Sequence, residues 1–463
     1  MMRSKVSRNF VLLAPPGCGE VSANKSANVG ALIFIVTLFG SVLIIAYHPP
    51  FVQRFLKIES KGAVLIEGAK WCGKTTSALQ FAKSVLFMQQ PENKAQNILM
   101  ADISPETLLA GENPRLIDEW QLAPKLWDAV RFEVDQRHAF GQFILTGSAT
   151  PPDWSVVSHS GTGRIARLIM RPMSLLESKE SSGEISLKDL FSGNKELVGK
   201  SNIDASKLAF LACRGGWPMS VKQTGLSALQ QPRDYVDSIA ESGLPLADNT
   251  RRDEYRLRQF LRAYARMVGS QASASQIQKD ISASAQVSDK TVYEYQRVLK
   301  GIFVIEDAPA WSPNLRSKTA IRSADTRYFV DPSIGAASLG LGPEDLLGDL
   351  NTFGFIFENL CTRDLRIYAE ALDGSVFHYR DSNNLECDAV IQLRNGTYGL
   401  IEIKLGGDKL IEEGAATLKK LESKLDPERM NKPSFLMVLT GVGDYAFKRP
   451  DGVYVVPIGA LRN

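Results

Sequence analysis

The chain has 463 residues, 44% of them apolar and 23% charged, with a formal net charge of +3. This is the composition of an ordinary globular protein of about three domains. It excludes a disordered or collagen-like chain, and so small a charge gives no global argument for nucleic-acid binding. Five scattered cysteines without a C-x-x-C pair, and only four histidines, argue against a disulfide framework or structural zinc and for a reducing, cytoplasmic setting.

The first element is an apolar run, Val29 to Tyr47, with no charge over 19 residues and the length to cross a bilayer. Arg3, Lys5, Arg8 and Lys25 precede it, and Arg54, Lys57 and Lys61 follow it. The nucleotide-binding pattern downstream needs cytosolic ATP, so a spanning helix would send the basic tail outward, against the positive-inside tendency. Two readings stand. Residues 1–46 are an N-terminal extension ahead of a native start near Tyr47, or residues 29–47 are an inner-membrane anchor and the one source of membrane contact. Ala14 to Glu20 looks like a fragment of a phosphate loop, with Glu20 where lysine is needed.

Ala63-Val64-Leu65-Ile66 then reads as a buried strand, and Gly68 to Thr76 fits G-x-x-x-x-G-K-[ST]. Ser77 to Leu86 reads as a helix with Ala78, Leu79, Phe81, Ala82, Val85 and Leu86 on one face. A strand, a glycine-rich turn and a helix suit a triphosphate. Backbone N–H groups of the loop, with Gly68, Cys72, Gly73 and Thr76, cradle phosphates. Lys74 reaches the β- and γ-phosphates, and Thr75 holds Mg²⁺. ATP and Mg²⁺ are the cofactors this predicts.

About 45 residues beyond the loop, Arg115-Leu116-Ile117-Asp118-Glu119 is a short apolar strand ending in two carboxylates. Asp118 is placed to hold Mg²⁺ through water and Glu119 to polarise the attacking water. Leu126 to Arg137 reads as a helix with Trp127, Val130 and Val134 on one face. Gln142 to Thr146 is a further buried strand, and Thr146 and Ser148 at its end are candidates to sense the γ-phosphate. Arg164, and after it Arg167, are candidates to stabilise transition-state charge.

The strings Ala63 to Gly68, Lys70 to Thr75, Pro114 to Gln121, Gln142 to Ser148 and Arg171 to Ser174 closely resemble a large prokaryotic family. Its members join an AAA-type ATPase module to a C-terminal domain of unknown function. The resemblance runs from about Tyr47 to the C-terminus. It implies ATP binding and little about the biological task.

Ser181 to Ser201 is polar and marks the end of the nucleotide core, at about residue 195. Residues 196–250 read as a helical lid or linker, broken at Arg214-Gly215-Gly216-Trp217-Pro218. Residues 251–331 read as a winged helix-turn-helix: helices over Arg256–Met267, Ala274–Ile281 and Asp289–Lys300, the last capped by Ser288, then wing strands at Phe303–Ile305 and Tyr328–Val330. Lys290, Tyr293, Gln296, Arg297 and Lys300 on the third helix would meet a DNA groove. A protein-docking domain with an ordinary solvated face is the alternative.

Residues 332–463 read in order as helix (Phe355–Tyr368), three strands (Val376–Tyr379, Glu386–Leu393, Tyr398–Leu405), helix (Lys409–Leu425) and strand (Ser434–Leu439). That order resembles the core of restriction-endonuclease-like folds. Such sites need two carboxylates on Mg²⁺ and a lysine near the attacking water. Alternation puts Glu402 and Lys404 on one face. A two-residue turn would pair Asp388 with Ile403, on the wrong face. A three-residue loop, Arg394-Asn395-Gly396 with Gly396 left-handed, pairs Asp388 with Glu402 and is the expectation. Glu358 on the preceding helix matches the extra carboxylate of many members of that superfamily.

The fold class expected is therefore α/β: a P-loop NTPase core with a parallel sheet, then a winged helix-turn-helix and a restriction-endonuclease-like α/β domain. The function expected is an ATP hydrolase controlling a nuclease-like module. Candidate partners are DNA or RNA, a second copy of the chain, or another protein. The alternative is a nucleotide-gated switch whose C-terminal domain docks a protein without cutting.

Overall fold

The computed structural model describes residues 61–151, 160–193, 197–241, 253–282, 287–312, 324–425 and 430–463, with the backbone alone of 35–38 and 41–44. The chain divides into two compact units, Met1–Pro49 and Pro50–Asn463. In the first, β1 (Ile35–Leu38) and β2 (Ser41–Ile44) pair antiparallel, Ile35 opposite Ile44 and Leu38 opposite Ser41. The centre of the apolar run is thus extended and not a spanning helix. Its β-branched residues (Ile35, Val36, Thr37, Val42, Ile44) favour that geometry. No helix among the described residues is long and apolar enough to cross a membrane. The Gly-rich string at 14–20 lies outside the described residues.

The second unit opens with a five-stranded parallel sheet of β3 (Ala63–Glu67), β4 (Ser84–Phe87), β5 (Arg115–Asp118), β6 (Phe143–Gly147) and β7 (Ile165–Ile169), in the spatial order β4-β5-β6-β3-β7. Its central strands β3 and β6 are buried at every residue, as an all-parallel sheet covered on both faces requires. Helix Leu126–Arg137 lays Leu126, Trp127, Val130 and Val134 on the sheet. One expectation fails here. The helix after the phosphate loop spans only Lys74–Ala78, and Ser84–Phe87 is the edge strand β4, paired with β5 from Ser84–Arg115 to Phe87–Asp118. The apolar spacing that suggested a helical face belongs partly to a strand whose partner lies some thirty residues away.

The middle of the chain forms helices Glu254–Arg266, Ala274–Ser282 and Asp289–Gly301. Ser288 caps the third, accepting from the Thr291 amide, and Val292, Tyr295 and Leu299 are buried together. Antiparallel bridges at Ile305–Phe329 and Ala308–Thr326 follow, shorter than the wing strands expected.

The last sheet has seven strands: β8 (Ile185–Ser186) stands outside it, paired with β16 (Leu461–Arg462), while β9 (Gly199–Lys200), β10 (Gly374–Arg380), β11 (Glu386–Leu393), β12 (Tyr398–Lys404), β13 (Phe435–Thr440), β14 (Tyr445–Lys448) and β15 (Tyr454–Pro457) run in the order β10-β11-β12-β13-β15-β14-β9. Helices Leu350–Ala371 and Asp408–Lys424 pack on it. Leu175, Ile185, Leu190, Ile203 and Leu208 share one core with Phe357, Leu360, Ile401 and Met437. Apolar side chains from Leu175 to Leu190 and from Ile203 to Cys213, in a stretch read from the sequence as the end of the ATPase domain and the start of a lid, thus pack into the C-terminal core. Short strands that take their partners from far along the chain carry no periodic signal of their own.

Candidate functional sites

The phosphate loop leaves the end of β3 between β6 and β7. Gly68 donates its amide to the Gly147 carbonyl at 3.3 Å. Gly73 holds φ at 101°, a left-handed geometry that a side chain would oppose. The Cys72 thiol is buried, donates to the Met170 carbonyl at 3.3 Å, and is pushed up in pKa by burial. Thr76 is exposed on the first turn. The helix after the loop has only five residues, so its dipole adds little and the loop amides and Lys74 carry the expected phosphate field.

Lys74 is buried, and its ammonium donates to the carbonyls of Gly68 at 2.9 Å and Ala69 at 2.8 Å. Among the described residues no carboxylate pairs with it. Thr75 Oγ1 donates to Asp118 Oδ1 at 2.6 Å, and Thr146 Oγ1 donates to the same oxygen at 2.7 Å. The end of β5 is thereby joined to the loop and to the end of β6. Glu119 follows with left-handed backbone, φ 58° and ψ 48°. Its Oε2 accepts from Ser148 Oγ at 2.7 Å and from the Gln121 amide. Ser148 thus faces the carboxylate read as the general base. Two hydroxyl oxygens meeting at the Asp118 carboxylate, and a buried cation with only carbonyl partners, fit Mg²⁺ and a phosphate chain.

Arg164 is not brought to this site. β7 runs parallel to β3, with Ala63 opposite Ile165 and Glu67 opposite Ile169. Arg164 therefore sits at the end of the sheet remote from the loop, about 15 Å away at 3.3 Å per residue, and pairs with Asp135 at 2.8 Å. Arg167 lies over the Trp127 ring, 3.6 Å from Glu67. A motif read along the chain does not tell which end of a strand its arginine will flank.

The C-terminal cluster forms as the three-residue loop requires. The register Ala389–Ile401, Val390–Leu400 and Gln392–Tyr398 carries Asp388 to the level of Glu402, and Gly396 has φ 86°. Lys404 Nζ lies 2.7 Å from Glu402 Oε2 and 3.1 Å from Asp388 Oδ2. Asp388 Oδ2 also accepts from the Ile403 amide at 2.7 Å. Glu402 is buried and its Oε1 has no hydrogen-bond partner. Burial and then the charge of Asp388 push Glu402 well above the usual carboxylate range, against the pull of Lys404. Burial lowers Lys404, but the two carboxylates outweigh it and hold its pKa above that of an ordinary lysine. Glu358 is pushed up to about 8, by burial first and Asp388 second, and accepts from the Tyr328 hydroxyl. A buried unpaired oxygen of this kind is satisfied by a cation or by the carboxyl's own proton, and the raised pKa of Glu402 favours the proton. Among the described residues, no group of three or more acidic, histidine or cysteine side chains stands ready to hold a metal, and the Lys404 ammonium lies between the two strand carboxylates.

On the third middle helix, Lys290, Tyr293 and Arg297 are exposed, as expected. Gln296 is not: it is buried on the core face, one residue beyond Tyr295. Lys300 pairs with Asp307 at 2.8 Å.

Sequence reasoning missed two further groupings. Trp71, left-handed at φ 70° in the phosphate loop, packs its ring tilted against Tyr235 with centroids 5.4 Å apart, and Tyr235 packs tilted against Trp217 at 4.4 Å. Arg363 is buried and bridges Asp331 at 2.8 Å and Asp364 at 2.7 Å. Asp331 also accepts from the Gly216 amide at 3.0 Å, and Asp364 from the Leu175 amide at 2.9 Å. Single charged residues inside an apolar helix pattern (Arg363, Asp364) were the available signal.

Three family profiles match successive parts of the chain: an AAA domain over residues 60–179, a domain of unknown function (DUF8612) over 205–345, and another (DUF4143) over 353–461. Uncharacterized protein Rv2008c of Mycobacterium tuberculosis (strain ATCC 25618 / H37Rv) is 25% identical over 344 residues, spanning 74% of this chain and 70% of that protein. Uncharacterized protein Mb2031c of Mycobacterium bovis matches to the same extent. Among solved structures, a RuvB variant of Thermotoga maritima aligns at 16% identity over 56% of this chain and 86% of that one, with a TM-score of 0.24. Drosophila ORC bound to DNA aligns at 13% identity over 56% and 79%, with a TM-score of 0.15. Scores this low carry no argument. The AAA profile and the loop geometry together make residues 60–179 an AAA-type, ATP-binding P-loop module within an α/β chain.

Proposed function

We propose that the chain is a Mg²⁺-dependent ATPase whose nucleotide state controls a C-terminal nuclease-like site acting on DNA or RNA. The observation that carries the ATPase reading is the buried Lys74 ammonium, with two carbonyls and no carboxylate for partners among the described residues. A buried charge so weakly compensated favours an anion. Lys74 and the loop amides hold the phosphates, and Thr75 and Asp118 hold Mg²⁺, whose chemistry is to offset phosphate charge. Thr146 fixes Asp118, and Glu119 polarises the attacking water. Arg164 is ion-paired at the far end of β7 and is set aside as the transition-state arginine.

In the C-terminal module, Glu358, Asp388 and Glu402 are the proposed Mg²⁺ ligands, with Lys404 beside the attacking water. The three middle helices and the bridged segment after them are read as a winged helix, with Lys290, Tyr293 and Arg297 toward nucleic acid. One observation favours the second reading, a nucleotide-gated switch that docks a protein partner without cutting: Lys404 spans the two strand carboxylates where a metal ion would sit.

Lys74→Ala is expected to abolish nucleotide binding, and Glu119→Gln to keep binding but lose turnover; unchanged hydrolysis in either counts against the ATPase reading. A metal-dependent cleavage assay on single- and double-stranded DNA and RNA, with Lys404→Ala as control, separates the two readings of the C-terminal module. Cleavage lost in the control supports the nuclease, and no cleavage of any substrate supports the switch.

A further inference from the structure

We infer that Gln121 is a positioning residue for hydrolysis: its side-chain amide holds the Glu119 carboxylate in its working orientation. The inference rests on the ATPase reading above.

Glu119 has left-handed backbone at the point where β5 gives way to a short 3₁₀ turn, Trp120–Leu122. That turn brings the side chain of Gln121 back over Glu119. Gln121 Nε2 donates to Glu119 Oε2 and lies 3.4 Å from Ser148 Oγ, which itself donates to the same Oε2. Both donors thus converge on one oxygen of the carboxylate, and Oε1 takes no hydrogen bond from a described residue. A base anchored through one oxygen keeps the other for water.

The other end of the amide supports the same reading. Gln121 Oε1 is buried and has no hydrogen-bond partner. A buried amide oxygen left unpaired is unfavourable and calls for an explanation. Turning the amide over would set its oxygen against the Glu119 carboxylate, so the orientation that suits Glu119 is the one that strands Oε1. The backbone makes room for this. A β-carbon on Gly147 would stand 3.1 Å from Gln121 Oε1 and 3.0 Å from the Trp120 indole nitrogen. Gly147 at the end of β6 therefore admits the amide, and a methyl group there would press it toward Glu119.

The measurement is steady-state ATP hydrolysis by the full chain, with nucleotide affinity read separately from a fluorescent ATP analogue. Gln121→Ala is expected to lower kcat by about ten-fold or more while KM stays within about two-fold, the split expected when a general base is misplaced and binding is intact. Gln121→Glu puts a second carboxylate against the first and is expected to lose more. Gly147→Ala, which leaves Gln121 in place, is expected to lower kcat in the same direction and serves if Gln121→Ala does not fold. An unchanged kcat in folded Gln121→Ala, or a KM rising in step with falling kcat, overturns the inference. The two readings fail differently. A wild-type chain without hydrolysis sinks the ATPase reading and this inference with it. Hydrolysis abolished by Lys74→Ala and Glu119→Gln but indifferent to Gln121→Ala and Gly147→Ala sinks this inference alone.

Discussion

Thr75 and Asp118 lie 43 residues apart and meet through a 2.6 Å hydrogen bond, with the Thr75 hydroxyl as donor. The contact joins the phosphate loop to the end of β5. Both side chains are the proposed Mg²⁺ holders, so their pairing preorganises the site. Thr75→Val is expected to erase the advantage that Mg²⁺ gives to ATP binding, so that affinities in Mg²⁺ and in EDTA converge. Thr75→Ser should keep the difference. Fluorescence titration of an ATP analogue in the two buffers checks it.

Arg363 makes a second, structural prediction. It is buried between Asp331 and Asp364, which in turn anchor the Gly216 and Leu175 amides. Removing the guanidinium leaves two buried carboxylates facing each other. Arg363→Ala is expected to cost about 3–5 kcal/mol, the range for breaking one side of a buried ion pair. Arg363→Lys should recover little, because a point ammonium cannot serve both carboxylates in a fork. Urea unfolding monitored by tryptophan fluorescence measures both.

The C-terminal cluster predicts opposite effects of two substitutions on cation binding. Glu402→Gln removes the buried carboxylate with the unpaired oxygen and should abolish Mn²⁺ binding. Lys404→Ala removes the ammonium between Asp388 and Glu402 and should tighten it, by the lost repulsion between like charges. Isothermal titration with Mn²⁺ reads both. Equal weak binding in all variants would count against the ligand assignment.

His378 predicts how stability varies with pH. It is buried, accepts at Nδ1 from the Gln271 amide at 3.2 Å and donates from Nε2 to the Ala324 carbonyl at 2.9 Å. Burial pulls its pKa below the ordinary histidine value of 6.5. The unfolded chain then takes up the proton first as pH falls, so this contribution to stability is full above about pH 6.5 and is lost below it. Melting temperature should fall from pH 7 to pH 5.5, and His378→Gln should flatten that slope.

The parts legible in sequence were those governed by local rules. The parity of the Arg394-Asn395-Gly396 loop follows from the two-residue period of a strand and the left-handed need at Gly396. It placed Asp388, Glu402 and Lys404 correctly relative to one another. The phosphate loop and the ends of β5 and β6 were equally readable, because a buried parallel strand is a continuous apolar run. The failures lie where a distant partner decides. Ser84–Phe87 became a strand because β5 lay beside it. Gln296 turned inward because the neighbouring helices chose which face of Asp289–Gly301 to cover. Arg164 lies away from the loop because sequence order does not reveal which end of a neighbouring strand a residue will flank. Ion-pair networks such as that of Arg363 are invisible until the chain has closed around them.

The strands at Ile185–Ser186 and Gly199–Lys200 hold onto the far end of the polypeptide, through Leu461–Arg462 and Tyr445–Ala446. Residues 185–200 are therefore tied to the segment 445–462. A cut at residue 195 would part β8 from β16 and open to water the core that Ile185 and Leu190 share with Ile401 and Met437. Whatever the carboxylate–lysine site does, the segment that follows the nucleotide-binding sheet is part of the layer beneath it, by topology before any signal passes between them.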